Sequence, residues 1–229
     1  PTHRCAVVGA GPSGLSAARA LQKAGVEVVG FEASRGVGGL WDIDNPRSTM
    51  YESAHLISSR TTTQFAEFPM ATDADYPSHR VLIAYFREYA DRFGLTELFR
   101  FDTKVTAVTP ADGGGWLVAS RGPDGDTAER FDAVILANGT LAEPAVPTFP
   151  GTFTGEIFHT STYKSARQLD GRRGRSGVSG GVGIHAQRAP LSSVRPVLSV
   201  EPVAPRWPPQ RLLRLFLRLA GSWRAGPVV

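Results

Sequence analysis

The sequence predicts an α/β fold in which a parallel sheet carries a small antiparallel β-meander insertion and is followed by a largely irregular tail. Three observations carry this prediction. Residues 5–32 run through a β-branched strand, a glycine-rich turn, a helical stretch and a second apolar strand. Residues 101–137 hold three strand-like runs separated by glycine turns. Beyond residue 170 the composition shifts to Arg, Pro, Gly and Ser, without turn-bounded alternation.

The chain has 229 residues, enough for one large or two small domains that bury about two thirds of the unfolded surface. A single cysteine, Cys5, excludes both a disulfide framework and a Cys-based zinc cluster. No apolar run approaches the ~20 residues of a membrane span, and Pro1-Thr2-His3-Arg4 leads straight into a strand rather than a signal peptide. These features predict a cytoplasmic protein without a transmembrane segment. The net charge of +4 hides two compositions: residues 1–170 carry −5, whereas 171–229 carry +9, with ten Arg against Glu201. That tail lacks the aromatic interleaving of a nucleic-acid surface, so no nucleic-acid partner is expected.

Cys5-Ala6-Val7-Val8 reads as the first strand. Gly9-Ala10-Gly11-Pro12-Ser13-Gly14 follows at once, and then Leu15, Ala18 and Leu21 at helical spacing. Val26 to Phe31 forms a second apolar run that ends in Glu32, an acid 18 residues beyond the third glycine. This is the βαβ dinucleotide fingerprint, a Rossmann-like arrangement. Gly9 permits the tight turn, Gly11 lets backbone approach a pyrophosphate, and Gly14 lets the helix pack closely on the sheet. The helix N-terminus favours an anion. Glu32 can accept hydrogen bonds from both ribose hydroxyls and would repel a 2′-phosphate. Either NAD or FAD satisfies these contacts. Gly38-Gly39-Leu40-Trp41 shifts the choice towards FAD, because a glycine pair lets backbone pass close to an extended cofactor.

Leu82, Tyr85, Phe86, Tyr89, Ala90 and Phe93 recur at helical spacing and predict one amphipathic helix whose stripe is core. Phe101–Val108, Trp116–Ser120 and Arg130–Ala137 read as strands. Asp112-Gly113-Gly114-Gly115 and Gly122-Pro123-Asp124-Gly125 supply the turns between them. Phe131 to Ala137 is almost continuously apolar, as expected of a buried parallel strand.

Over residues 4–165 the chain resembles the flavin-containing monooxygenases. Four motifs carry the resemblance: Gly9–Gly14 with Glu32, Gly38-Gly39-Leu40-Trp41, Phe65-Ala66-Glu67-Phe68-Pro69-Met70 with Tyr76-Pro77, and Phe153 to Tyr163. The last fits F-x-G-x-x-x-H-x-x-x-Y and is the most specific; related Baeyer–Villiger enzymes usually carry Trp at the position of Tyr163. The resemblance implies a FAD-binding domain over 1–165, with FAD contacts at Gly9, Gly11, Pro12, Ser13, Gly14, Glu32, Gly39, Leu40 and Trp41 and adenine near the backbone of Val105. It also implies reduction by NADPH, a C4a-hydroperoxyflavin formed with molecular oxygen, and oxygen transfer to a soft nitrogen or sulfur nucleophile of a small-molecule substrate. Since the flavin carries this chemistry, no catalytic side chain and no metal site are expected. His159 then has a structural role in a linker. Ile57, before Ser58-Ser59-Arg60, stands where many members have an active-site Asn, and Asn138 stands in place of the usual Thr.

The resemblance ends near Arg173. Gly181-Val182-Gly183-Ile184-His185-Ala186 matches G-x-G-x-x-A, yet no apolar strand precedes it. Residues 166–229 therefore read as an aberrant, out-of-frame or disordered tail replacing the NADPH-binding domain, and apolar surface left exposed on the first domain would favour self-association. Two further readings stay open: a non-catalytic FAD-binding remnant, inactive for want of an NADPH domain, and a Baeyer–Villiger-type monooxygenase.

Overall fold

Strand β1 (Arg4–Val8) stops where Gly9 takes φ 104° and turns the chain into helix α1 (Pro12–Lys23). Pro12 suits the first helical position because its φ is preset and its missing N–H has no intrahelical partner to lose. Gly25, at φ 71°, releases the chain from α1 into strand β2 (Glu27–Phe31). A four-residue helix α2 (Arg60–Thr63) and the longer α3 (His79–Arg92) follow, then β3 (Phe99–Arg100), β4 (Lys104–Pro110), β5 (Trp116–Gly122), β6 (Gly125–Phe131) and β7 (Ala133–Leu136). The computed structural model describes residues 3–146, 148, 151–152 and 157–169. All of these lie in the first of the chain's two units, Pro1–Val182. The tail expected from residue 166 onwards lies outside the described residues beyond Leu169, and so does the second glycine motif.

A four-stranded parallel sheet runs in the order β3-β2-β1-β7. Both its faces are buried, and the period-two alternation of the strands shows how. Val7, Val28 and Ile135 face a cluster containing Leu15 and Ala18 of α1 and Leu82, Phe86 and Tyr89 of α3. Ala6, Val29, Phe31 and Val134 face Val118 and Phe131 of the antiparallel sheet β4-β5-β6. The meander is thus a third layer. The α3 stripe is core as expected, with Leu82, Tyr85, Phe86, Tyr89 and Ala90 buried and Phe93 packed beside them.

The strand boundaries need two corrections. The run expected as one strand over Arg130–Ala137 is two: β6 ends at Phe131 and β7 begins at Ala133. Asp132 makes the change of sheet. Its N–H donates to Arg4 O at 2.9 Å, and its carboxylate accepts from Arg4 N–H at 2.7 Å, so β1 captures the chain as it leaves the meander. Nor is β7 fully buried, because among the described residues it pairs with β1 alone and Leu136 is 65% exposed. The strand expected over Phe101–Val108 likewise begins later, at Lys104, after a turn at Asp102 with φ 50°. Among the described residues no helix is long and apolar enough to cross a membrane.

Candidate functional site

The glycine bend closes by backbone contacts that exclude side chains. A Cβ on Gly9 would lie 2.4 Å from Ala137 O, and one on Gly14 only 1.8 Å from Gly9 O. The α1 N-terminus therefore sits directly on the end of β1, and no side chain among the described residues caps its first turn. Pro12 is half-buried and Ser13 is exposed there. The free N–H groups of such a first turn suit an anion.

Glu32 reaches into this bend. Its carboxylate is buried, and Oε2 accepts from Ala10 N–H at 2.7 Å. The other oxygen, Oε1, accepts from Ser34 N–H at 2.7 Å and from the Ser34 hydroxyl at 2.8 Å. The hydroxyl has one proton and a second acceptor, Gly36 O, at 3.1 Å. Turned to Gly36, it frees a second acceptor position on Glu32, since a carboxylate offers about four. Two ribose hydroxyls then have the acceptors they need. Ser34 thus belongs to the candidate site through Glu32, which the residue pattern did not single out; a serine two residues after a terminal strand acid is the available signal.

The second glycine motif docks on the first. Gly38 N–H donates to Ala10 O at 3.0 Å, and a Cβ on Gly39 would lie 3.0 Å from Gly11 Cα. Gly39–Trp41 then forms one 3₁₀ turn, with the Trp41 ring centroid 6.5 Å from that of Phe86. The structure thus brings together Gly9, Gly11, Pro12, Ser13, Gly14, Glu32, Gly39, Leu40 and Trp41 around two facing stretches of bare backbone. A Cβ at Gly11 would come within 3.8 Å of Gly39 Cα, so the two stretches pack backbone against backbone, and the uncapped N–H groups of the adjoining α1 N-terminus suit a diphosphate-bearing cofactor such as FAD. Val105 stands apart from the bend. It lies on β4 opposite Ser120, its side chain packs with the second cluster, and two residues earlier Thr103 N–H donates to Glu32 O at 2.9 Å.

The remaining motif residues are arranged locally. His159 Nδ1 accepts from Ser161 N–H at 3.2 Å and caps the turn Thr160–Thr162. Tyr163 is buried beside Tyr51, ring centroids 5.8 Å apart. Ile57 is 98% exposed. Asn138 is exposed and donates to Gly139 O at 3.2 Å.

The model of the flavin-binding monooxygenase-like family matches residues 2–184. The chain belongs to this family. Its members use FAD and NADPH. The flavin-containing monooxygenase FMO GS-OX3 of Arabidopsis thaliana is 34% identical over 185 residues, covering 69% of this chain and 40% of the relative. Dimethylaniline monooxygenase [N-oxide-forming] 2 of Oryctolagus cuniculus is 32% identical over 74% of the chain and 34% of its own length. The chain thus spans well under half of these relatives. Among solved structures, S-allyl-L-cysteine S-oxygenase from Allium sativum superposes with a TM-score of 0.67 at 26% identity, over 74% of this chain and 44% of that one. Cyclohexanone monooxygenase does so with a TM-score of 0.57 at 28% identity, over 71% and 31%.

Proposed function

We propose that residues 1–165 bind FAD as part of an NADPH-linked monooxygenase that oxygenates soft nitrogen or sulfur nucleophiles. One observation carries this reading: Glu32 Oε2 lies 2.7 Å from Ala10 N, so a carboxylate able to accept from ribose hydroxyls adjoins the glycine bend at the uncapped N-terminus of α1. Gly9, Gly11, Pro12, Ser13 and Gly14 would hold the pyrophosphate through backbone N–H groups and the α1 dipole. Gly39, Leu40 and Trp41 would flank the cofactor where it extends from the bend, and backbone at Val105 would approach the adenine. Bound FAD supplies electron acceptance from NADPH and activation of oxygen. The residues of this chain bind the cofactor, orient it and keep water from its reactive edge.

Nitrogen or sulfur as the acceptor is supported by Tyr163 in the position where Baeyer–Villiger enzymes usually carry Trp. Relatives named as an N-oxide-forming monooxygenase and an S-oxygenase point the same way. Leu136, Leu141, Val146 and Ile157 are exposed apolar side chains, which favours association with a second copy or another apolar surface. A clean monomer on size-exclusion chromatography would count against that part.

The deciding experiment is a visible spectrum of the purified 229-residue chain, followed by anaerobic titration. Flavin absorbance is the expected result, and its bleaching by NADPH would support the monooxygenase reading for this chain itself. Flavin bleached by dithionite alone would leave only a FAD-binding remnant, and a colourless protein that takes up no added FAD would end the flavin reading.

A further inference from the structure

We propose that Lys164 is a positioning residue for the turn Gly39–Trp41, acting through Ser48. The inference rests on the flavin reading of that turn, but its geometry is independent of any cofactor. Lys164 follows the last residue of the F-x-G-x-x-x-H-x-x-x-Y motif, more than 110 residues from the loop it grips. Its Nζ donates to Ser48 O at 2.7 Å and to Met50 O at 3.2 Å. Its own carbonyl accepts from Glu52 N–H at 2.8 Å, and the Tyr163 ring packs on Tyr51. Four contacts thus clasp the segment 48–52 from one side.

Ser48 passes this restraint to the cofactor-facing turn. The residue is buried, and its hydroxyl donates to Leu40 O. The same oxygen accepts from Met50 N–H at 3.1 Å, while Asn45 Nδ2 donates to Gly39 O at 3.3 Å. The carbonyls of Gly39 and Leu40 are therefore both held by the loop that Lys164 fixes. A 3₁₀ turn of three residues has little hydrogen bonding of its own, so the direction of its backbone depends on such outside partners. Burial lowers the Lys164 pKa below its ordinary value, as expected of an ammonium sunk among carbonyls rather than solvated at the surface.

The test uses the full chain with two variants, Lys164→Met and Ser48→Ala. Amide hydrogen exchange is followed on the apo protein, and FAD binding by quenching of flavin fluorescence together with visible circular dichroism. Lys164→Met is expected to speed exchange at residues 38–42 and 48–52, to weaken FAD about tenfold and to alter the visible dichroism, since hydrogen bonds to charged groups contribute on that scale. Ser48→Ala is expected to speed exchange at 38–42 while leaving 159–166 protected, and the two variants combined should fall short of additivity. Unchanged exchange at residues 38–42 in both variants would overturn the proposal, as would an effect of Lys164→Met that Ser48→Ala does not share. If the parent chain takes up no FAD, the flavin reading falls alone, and the exchange data still decide whether Lys164 positions the turn.

Discussion

Glu32 and Ala10, 22 residues apart, are joined by a 2.7 Å hydrogen bond from the Ala10 amide to a buried carboxylate oxygen. The acid therefore has a structural duty in addition to the proposed recognition of ribose. It fixes the glycine bend to the end of β2, and through Ser34 it fixes the loop beyond. A glutamine there would turn an NH₂ group towards one of these N–H donors. Glu32→Gln is expected to destabilise the apo chain by about 1–3 kcal/mol through an unpaired buried donor, read from urea unfolding, and to weaken FAD binding. Unfolding midpoints that coincide with the parent's would refute the structural duty.

Gly14 and Gly36 offer a matched pair. A Cβ at Gly14 meets Gly9 O at 1.8 Å, whereas at Gly36 nothing lies within 4 Å. Gly14→Ala must push α1 away from β1, and overpacking of this kind costs about 1–3 kcal/mol or more. Gly36→Ala should change the melting temperature little. Equal melting temperatures for the two variants would contradict the close helix–strand contact.

His79 is 1% exposed, and among the described residues neither ring nitrogen makes a hydrogen bond of good geometry, although the Glu52 backbone acts weakly on the ring. Burial, with Arg80 acting in the same direction, pushes its pKa below the ordinary value. The unfolded chain therefore binds the proton first. The stability tied to neutral His79 is complete above the unfolded pKa of about 6.5 and drains away as pH falls towards the folded one. Unfolding free energy is expected to decline as pH falls below about 6.5, and His79→Leu should flatten that decline. The carboxylates Glu67 and Glu129, held low by Lys23 and Arg100 respectively, act below that window. A decline of undiminished slope in the variant would assign it to other groups.

Glu129 of β6 joins the two sheets electrostatically. It pairs with Arg4 of β1 at 2.9 Å and with Arg100 of β3, and Arg4 also pairs with Glu27 of β2 at 3.0 Å. The Arg100 hydrogen bond leads in holding the Glu129 carboxyl below its usual range. Glu129→Gln is expected to cost about 1 kcal/mol, since these groups are partly solvated. The loss should shrink in high salt. A variant as salt-sensitive as the parent would show that the network contributes nothing.

Much of this was legible in the residues alone. The βαβ unit, the acid ending β2, the core stripe of α3 and the meander follow from local spacing, because each is a short-range pattern in which neighbouring residues report a common face or turn. The end of the meander was less legible. Phe131 and Ala133 are both apolar, and the pairing of Arg4 with Asp132 reveals that the chain changes sheets between them.

The sequence by itself determined the glycine bend and the acid that ends β2, since glycine spacing and a terminal acid encode both locally. Tertiary structure alone decided that Ser34 shares the Glu32 carboxylate, that Gly39 faces Gly11, and that Lys164 grips the loop bearing Ser48. Those relationships depend on backbone atoms, which every residue carries alike, and on contacts across tens of residues, so no pattern of side chains along the chain announces them.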